Sequence, residues 1–151
     1  MMPAATAETA ATFLEHLHAH TEGWLTLFAV NRSTGNKYVK WARDAATLST
    51  EADKLSPDCC VWYGVATRRE HLGYLRGGTA DCLHIPGLWV DINVAGDNHQ
   101  SPDLPPSMGD AGQLLADFQL KPTVVIDTGG GLQALWLFAE PLTVDEAAPL
   151  L

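Results

Sequence analysis

The pattern of apolar and polar positions divides the chain into short alternating elements. Phe13, Leu14 and Leu17 recur at helical spacing among alanines, which predicts a helix over about Thr6–His20 that ends before Gly23. Trp24–Val30 reads as a strand, and the polar run Asn31–Asn36 reads as the loop of a hairpin returning through Lys37–Trp41. A second helix is predicted from Asp44, a good N-cap, to Leu55, with Pro57 beyond its end. Cys60–Ala66 is β-branched and aromatic and reads as a strand. No single period fits Thr67–Ile85, which is expected to be a loop with one helical turn.

The second half repeats the alternation. Leu88–Val94 (LWVDINV) is predicted as a strand and Ala95–Ser107 as a loop. Met108–Leu120 reads as a helix with Leu114, Leu115 and Phe118 as its apolar stripe, followed by a strand over Pro122–Asp127. Three glycines at 129–131 lead into a further strand, Leu132–Phe138. Thr143 and Glu146 have the spacing of a capping box, so a helix is expected to start there, only a few residues before Leu151. That short remainder suggests a domain whose C-terminal end is missing. The expected class is α+β, with a mixed β-sheet, flanking helices and no second domain.

Composition narrows the classes of function. The 151 residues are 46% hydrophobic and 18% charged, enough apolar material for a packed core. No apolar run is long enough to span a membrane, and the start lacks the pattern of a secretory signal, so a cytoplasmic protein with no membrane partner is expected. Cys59, Cys60 and Cys82 form neither a disulfide framework nor a CxxC pair. The formal net charge of −9 argues against gripping duplex DNA through a broad basic surface.

Within that frame, two segments carry candidate chemistry. In LWVDINV, alternation puts Trp89, Asp91 and Asn93 on one face, with Asp91 and Asn93 about 6–7 Å apart along the strand. Two hard oxygen donors so placed suit Mg²⁺ or Mn²⁺, although the same pattern is the ordinary signature of a half-buried strand. In IDTGGGLQALW, the residues after the glycines are not helical, which excludes Rossmann and P-loop readings and favours a hairpin. Its turn would gather Thr128, the amides of Gly129–Gly131 and Gln133 around an anion, or simply close the hairpin. Arg68, Arg69 and Arg76 can meet phosphates or form a solvated loop. His16 and His20 share a helix face without a third ligand. His99 stands in the polar loop after LWVDINV.

Taken together, YGVATRRE, LRGGTAD, PGLWVDINV, Asp97-Asn98-His99 and KPTVVIDTGGGLQALWLFAEPL resemble the catalytic domain of the archaeo-eukaryotic primase superfamily, chiefly its primase-polymerases of plasmids, phages and integrated elements. The resemblance covers about Val61–Leu142 and implies an RRM-like catalytic core. It also implies DNA-replication priming by metal-dependent nucleotidyl transfer, in which a 3′-hydroxyl attacks the α-phosphate of a nucleoside triphosphate.

Residue by residue, it implies Asp91 as catalytic metal ligand with Asn93 beside it. It makes Thr128, Gly129, Gly131 and Gln133 the phosphate-contacting segment, with Arg76 and His99 as further nucleotide contacts. The implied cofactor is Mg²⁺ or Mn²⁺. The implied partners are nucleoside triphosphates and, through the complete protein, a single-stranded DNA template and a downstream helicase domain or partner. Asn93 replaces the usual carboxylate and Gln133 the usual His, and the third motif, an Asp on a later apolar strand, would lie beyond Leu151. These departures sustain an alternative: a catalytically inactive nucleotide- or template-binding replication module.

Overall fold

A computed structural model describes residues 9–97 and 99–150, so Thr6–Glu8 of the first predicted helix, Asn98 and Leu151 lie outside the described residues. The elements are α1 (Ala10–Leu17), β1 (Leu25–Asn31), β2 (Lys37–Ala42), α2 (Ala45–Leu55), β3 (Cys59–Tyr63), β4 (Ile85–Asn93), α3 (Met108–Asp117), β5 (Val124–Asp127), β6 (Gly131–Leu142) and α4 (Val144–Ala147). The class is α+β, as the alternation predicts. The expected mixed sheet is not found: there are two three-stranded sheets, β2-β1-β3 and β4-β6-β5, and the strands in them run antiparallel. Hairpins account for this, because both Asn31–Asn36 and Thr128–Gly130 return the chain directly beside itself.

The described residues form two compact units, one of 9–86 with 140–150 and one within 87–139; the division falls within β4 and β6. In the first unit β1 is central, pairing β2 and β3. Leu25 and Leu27 of β1 face Leu14, Ala42, Ala45 and Leu48, so α1 and α2 cover one side of the sheet. Phe13 meets Tyr63 edge-on at the margin of this core. Helix starts follow the expected chemistry: Asp44 accepts the Thr47 N–H at 2.7 Å, and the Thr143/Glu146 capping box is formed. Those contacts hold the carboxyls of Asp44 and Glu146 below their ordinary pKa.

The unassigned stretch Thr67–Ile85 contains one 3₁₀ turn, Thr79–Asp81, as expected, and is otherwise tied down by bridges. Arg68 pairs with both Trp24 and Cys82, and its guanidinium is spent on the carbonyls of Ala66 and Arg76. Thr67, wholly buried, exchanges bonds with Leu83 and His84. Arg68 is thus a brace for the loop.

In the second unit α3 lies on one face of its sheet, where Ala111 and Leu115 pack with Leu132, Ala134, Ile92, Val94 and Trp136. The buried line of α3 is Ala111, Gly112 and Leu115, which corrects the predicted stripe: Leu114 and Phe118 are more than half exposed. Small residues carry little hydrophobic signal, yet here they let the helix approach the sheet. The helix also ends earlier than predicted, at Asp117, because Phe118 is extended and turns its ring edge-on to Trp136. Among the described residues no helix is long and apolar enough to cross a membrane.

His18, which follows α1, gives the first unit a pH dependence. It is only 9% exposed, its Nδ1 lies 3.2 Å from the Thr21 hydroxyl, and its Nε2 is buried with no hydrogen-bond partner. Burial lowers its pKa to about 4, outweighing the opposing pull of the Gly64 backbone. The fold therefore holds neutral imidazole, while the unfolded chain takes up a proton near the ordinary value of 6.5. Stability is full above that value and falls as pH drops from 6.5 to about 4, by about 3 kcal/mol from this group. Urea denaturation across that window should show the decline, and His18→Phe, which cannot titrate, should flatten it relative to the parent.

Candidate functional site

The second unit brings the two sequence motifs onto one sheet face. Strand β6 is central, and β4 lies beside it with Gly87 against Trp136 and Leu137 at one end and Gly131 against Ile92 and Asn93 at the other. That register sets Asp91 opposite Gln133. The Gln133 side-chain amide donates to Asp91 Oδ1 at 2.8 Å. Since Ile92 and Val94 pack toward α3, Asp91, Asn93 and Trp89 project from the opposite face, where all three are exposed.

The glycines of the turn have separate tasks. A side chain at Gly131 would run into the Ile92 carbonyl, so only glycine lets β6 lie this close to β4. Gly129 adopts φ +83°, the left-handed conformation the turn needs, and its N–H donates to Asp127 Oδ1 at 2.8 Å. The N–H and hydroxyl of Thr128 both donate to the Gly131 carbonyl at 3.0 Å, which closes the hairpin. The Gly130 carbonyl accepts from Val94 N–H at 3.0 Å, and the imidazole Nε2 of His99 lies 3.9 Å from where a Gly130 Cβ would stand. Gly96 and His99 exchange backbone bonds, which folds the segment after β4 back toward the turn.

Asp91, Asn93, Gln133, the Thr128–Gly131 turn and His99 therefore lie in one unit on adjoining segments. Arg76 belongs to the other unit, where its guanidinium carbon lies 4.2 Å above the Phe28 ring. Trp136 packs on the α3 side of the sheet and donates its indole N–H to the Leu120 carbonyl, so Trp89 is the tryptophan that shares a face with Asp91. Asp127 is the residue sequence reasoning passed over. Its position as the last residue of β5, two before a glycine, is the signature of a carboxylate that bonds its own turn.

Electrostatics constrain what can bind. Residues 87–139 contain six aspartates and a single cation, Lys121. Nucleoside triphosphate alone would be repelled by that field. Among the described residues no three His, Cys, Asp or Glu side chains cluster as a metal site. Asp91 with the Asn93 carbonyl is a donor set that fits one Mg²⁺ or Mn²⁺ shared with substrate phosphates, and it does not fit two ions held by protein alone. Searches against protein-family models, curated proteins and solved structures find no match to this chain.

The two neighbouring glycines separate close approach from simple turn preference. Gly131→Ala should cost about 1–3 kcal/mol through collision with β4. Gly130→Ala, with its nearest neighbour at 3.9 Å, should be within about 0.5 kcal/mol of the parent. Thermal or urea melts of the two variants check this, and equal losses would refute it.

Proposed function

We propose that the Asp91 face binds a nucleoside triphosphate with a divalent cation, as part of a primase-polymerase of the mobile-element type that carries out nucleotidyl transfer in DNA replication priming. The observation that carries this reading is the Asp91–Gln133 hydrogen bond, which joins the two sequence motifs across neighbouring strands. Asp91 supplies the negative charge that draws the cation, and Asn93 a neutral oxygen two residues along. Gln133 orients the Asp91 carboxylate through its N–H and leaves the charge in place, because an amide carries none. His99 stands beside the turn, where its imidazole can donate to a phosphate. A bound Mg²⁺ or Mn²⁺ would offset the triphosphate charge and stabilise the attacking and leaving oxygens.

A second reading draws on the donor set itself. With one carboxylate on the strand and no three-acid cluster among the described residues, the same face suits a module that binds nucleotide without catalysis. Both readings require metal-dependent nucleotide binding; they differ in whether incorporation follows.

Quenching of Trp89 fluorescence by nucleoside triphosphate should depend on Mn²⁺ or Mg²⁺ and vanish with chelator. Asp91→Ala should weaken binding about tenfold or more, and Asn93→Asp, which restores a second carboxylate, should tighten metal binding by about tenfold. Binding that ignores the metal, or that survives Asp91→Ala, would exclude both readings. Primer extension with labelled nucleotides by the complete gene product then divides them, since incorporation supports the first and its absence in the parent and in Asn93→Asp supports the second.

A further inference from the structure

In the second unit, the loop between β4 and α3 forms a groove against α3, the helix that covers the face of the sheet opposite Asp91. The groove measures about 380 Å³. Pro102, Leu104 and Pro105 make one wall and Leu114 of α3 the other, with Asp103, Asp110 and Asp117 along it. The loop wall is held in shape by its own backbone. Pro102 takes the second position of a turn closed by the Leu104 N–H on the Ser101 carbonyl at 3.4 Å, where its fixed φ is favoured. The Ala95 N–H donates to the Pro105 carbonyl at 2.9 Å, and Ser107 caps α3. Three prolines within residues 102–106 leave this wall few other conformations, so an incoming segment meets a groove already built.

The helix wall follows from spacing. Asp110, Leu114 and Asp117 recur at steps of four and three residues, which sets them on one flank of α3 beside the buried line of Ala111 and Leu115. Leu114 is 55% exposed in the middle of that flank. The Asp110 carboxylate accepts from the Ser107 hydroxyl and that of Asp117 from the Gln113 amide; both donors are neutral and offset none of the negative charge. Asp103 is exposed on the facing loop, and among the described residues that line the groove there is no lysine or arginine. An apolar trough between carboxylates selects by shape and by sign together. A nucleotide is repelled there, and a cation alone makes no use of the leucine. A polypeptide with an aliphatic side chain between two cations uses both.

We propose that this groove docks a basic segment of a partner protein, with an aliphatic side chain packed on Leu114 and Lys or Arg residues about 10 Å apart meeting Asp110 and Asp117, which stand two helical turns from each other. Asp103 receives a further cation from the loop side. The groove shares no residue with the nucleotide site, so it stands or falls separately from the reading above.

The test is fluorescence anisotropy of a labelled synthetic peptide of about 12 residues, leucines spaced among lysines, titrated with the full chain at low salt. Saturable binding is expected, and a peptide with serine in place of leucine, unchanged in charge, should bind about tenfold more weakly. Leu114→Ser should weaken binding of the leucine peptide about tenfold. Asp103→Asn with Asp117→Asn should weaken it about fivefold and make its fall against salt shallower. Asp53→Asn with Asp58→Asn, an equal change of charge in the first unit, should leave affinity unchanged. The proposal is overturned by absence of saturable binding, by equal affinity for the serine peptide, which would mean attraction to net charge only, or by unchanged affinity in both groove variants. It is equally overturned if the chain is a dimer that Leu114→Ser converts to a monomer, since a second copy would then fill the groove.

Discussion

The second unit depends on how closely β6 can lie against β4. At Gly87 and at Gly131 a Cβ would strike the backbone of the partner strand, so the pairing needs a bare α-carbon at both ends. Between those two points the register has no freedom to slip, and a slip of one residue would turn Gln133 to the α3 side and separate it from Asp91. The same pairing presents Leu132 and Ala134 to α3, so one backbone constraint fixes both the core and the polar face. The tight turn that follows β5 is a consequence, closed by Thr128 and opened to the left-handed region only at Gly129.

Legibility followed the strength of the local signal. Asp44 and the Thr143/Glu146 pair were readable as helix starts because capping is settled within four residues. The alternation of LWVDINV placed Asp91 and Asn93 on one side, and the glycines after VVID marked a hairpin. Sheet composition was not readable, since nothing local tells which strands share a ladder, and hence one mixed sheet was expected where two antiparallel ones exist. The buried face of α3 was misread because Ala111 and Gly112 are small, whereas Leu114 and Phe118 announce themselves and yet face outward. Trp136 adjoins the turn in sequence, but its parity along β6 sends it to the α3 side. Arg68, readable as a phosphate contact or as part of a solvated loop, is consumed by carbonyls, a role that depends on contacts eight residues away.

The charge of the chain also divides in a way its total conceals. Nearly all cations fall within residues 32–76, and residues 87–139 are almost purely anionic apart from Lys121. A single value of −9 argues against a broad basic surface for duplex DNA. Divided this way, it describes one segment with a small positive excess and another that is anionic.

Asp127 gives the turn a property beyond shape. Its carboxylate already occupies the Gly129 N–H, so a bare anion arriving at the glycines must compete with a tethered one at unfavourable potential. An anion that arrives with its countercharge is spared that contest. Under the proposed function, the loop thereby favours phosphate that arrives with its cation over phosphate alone.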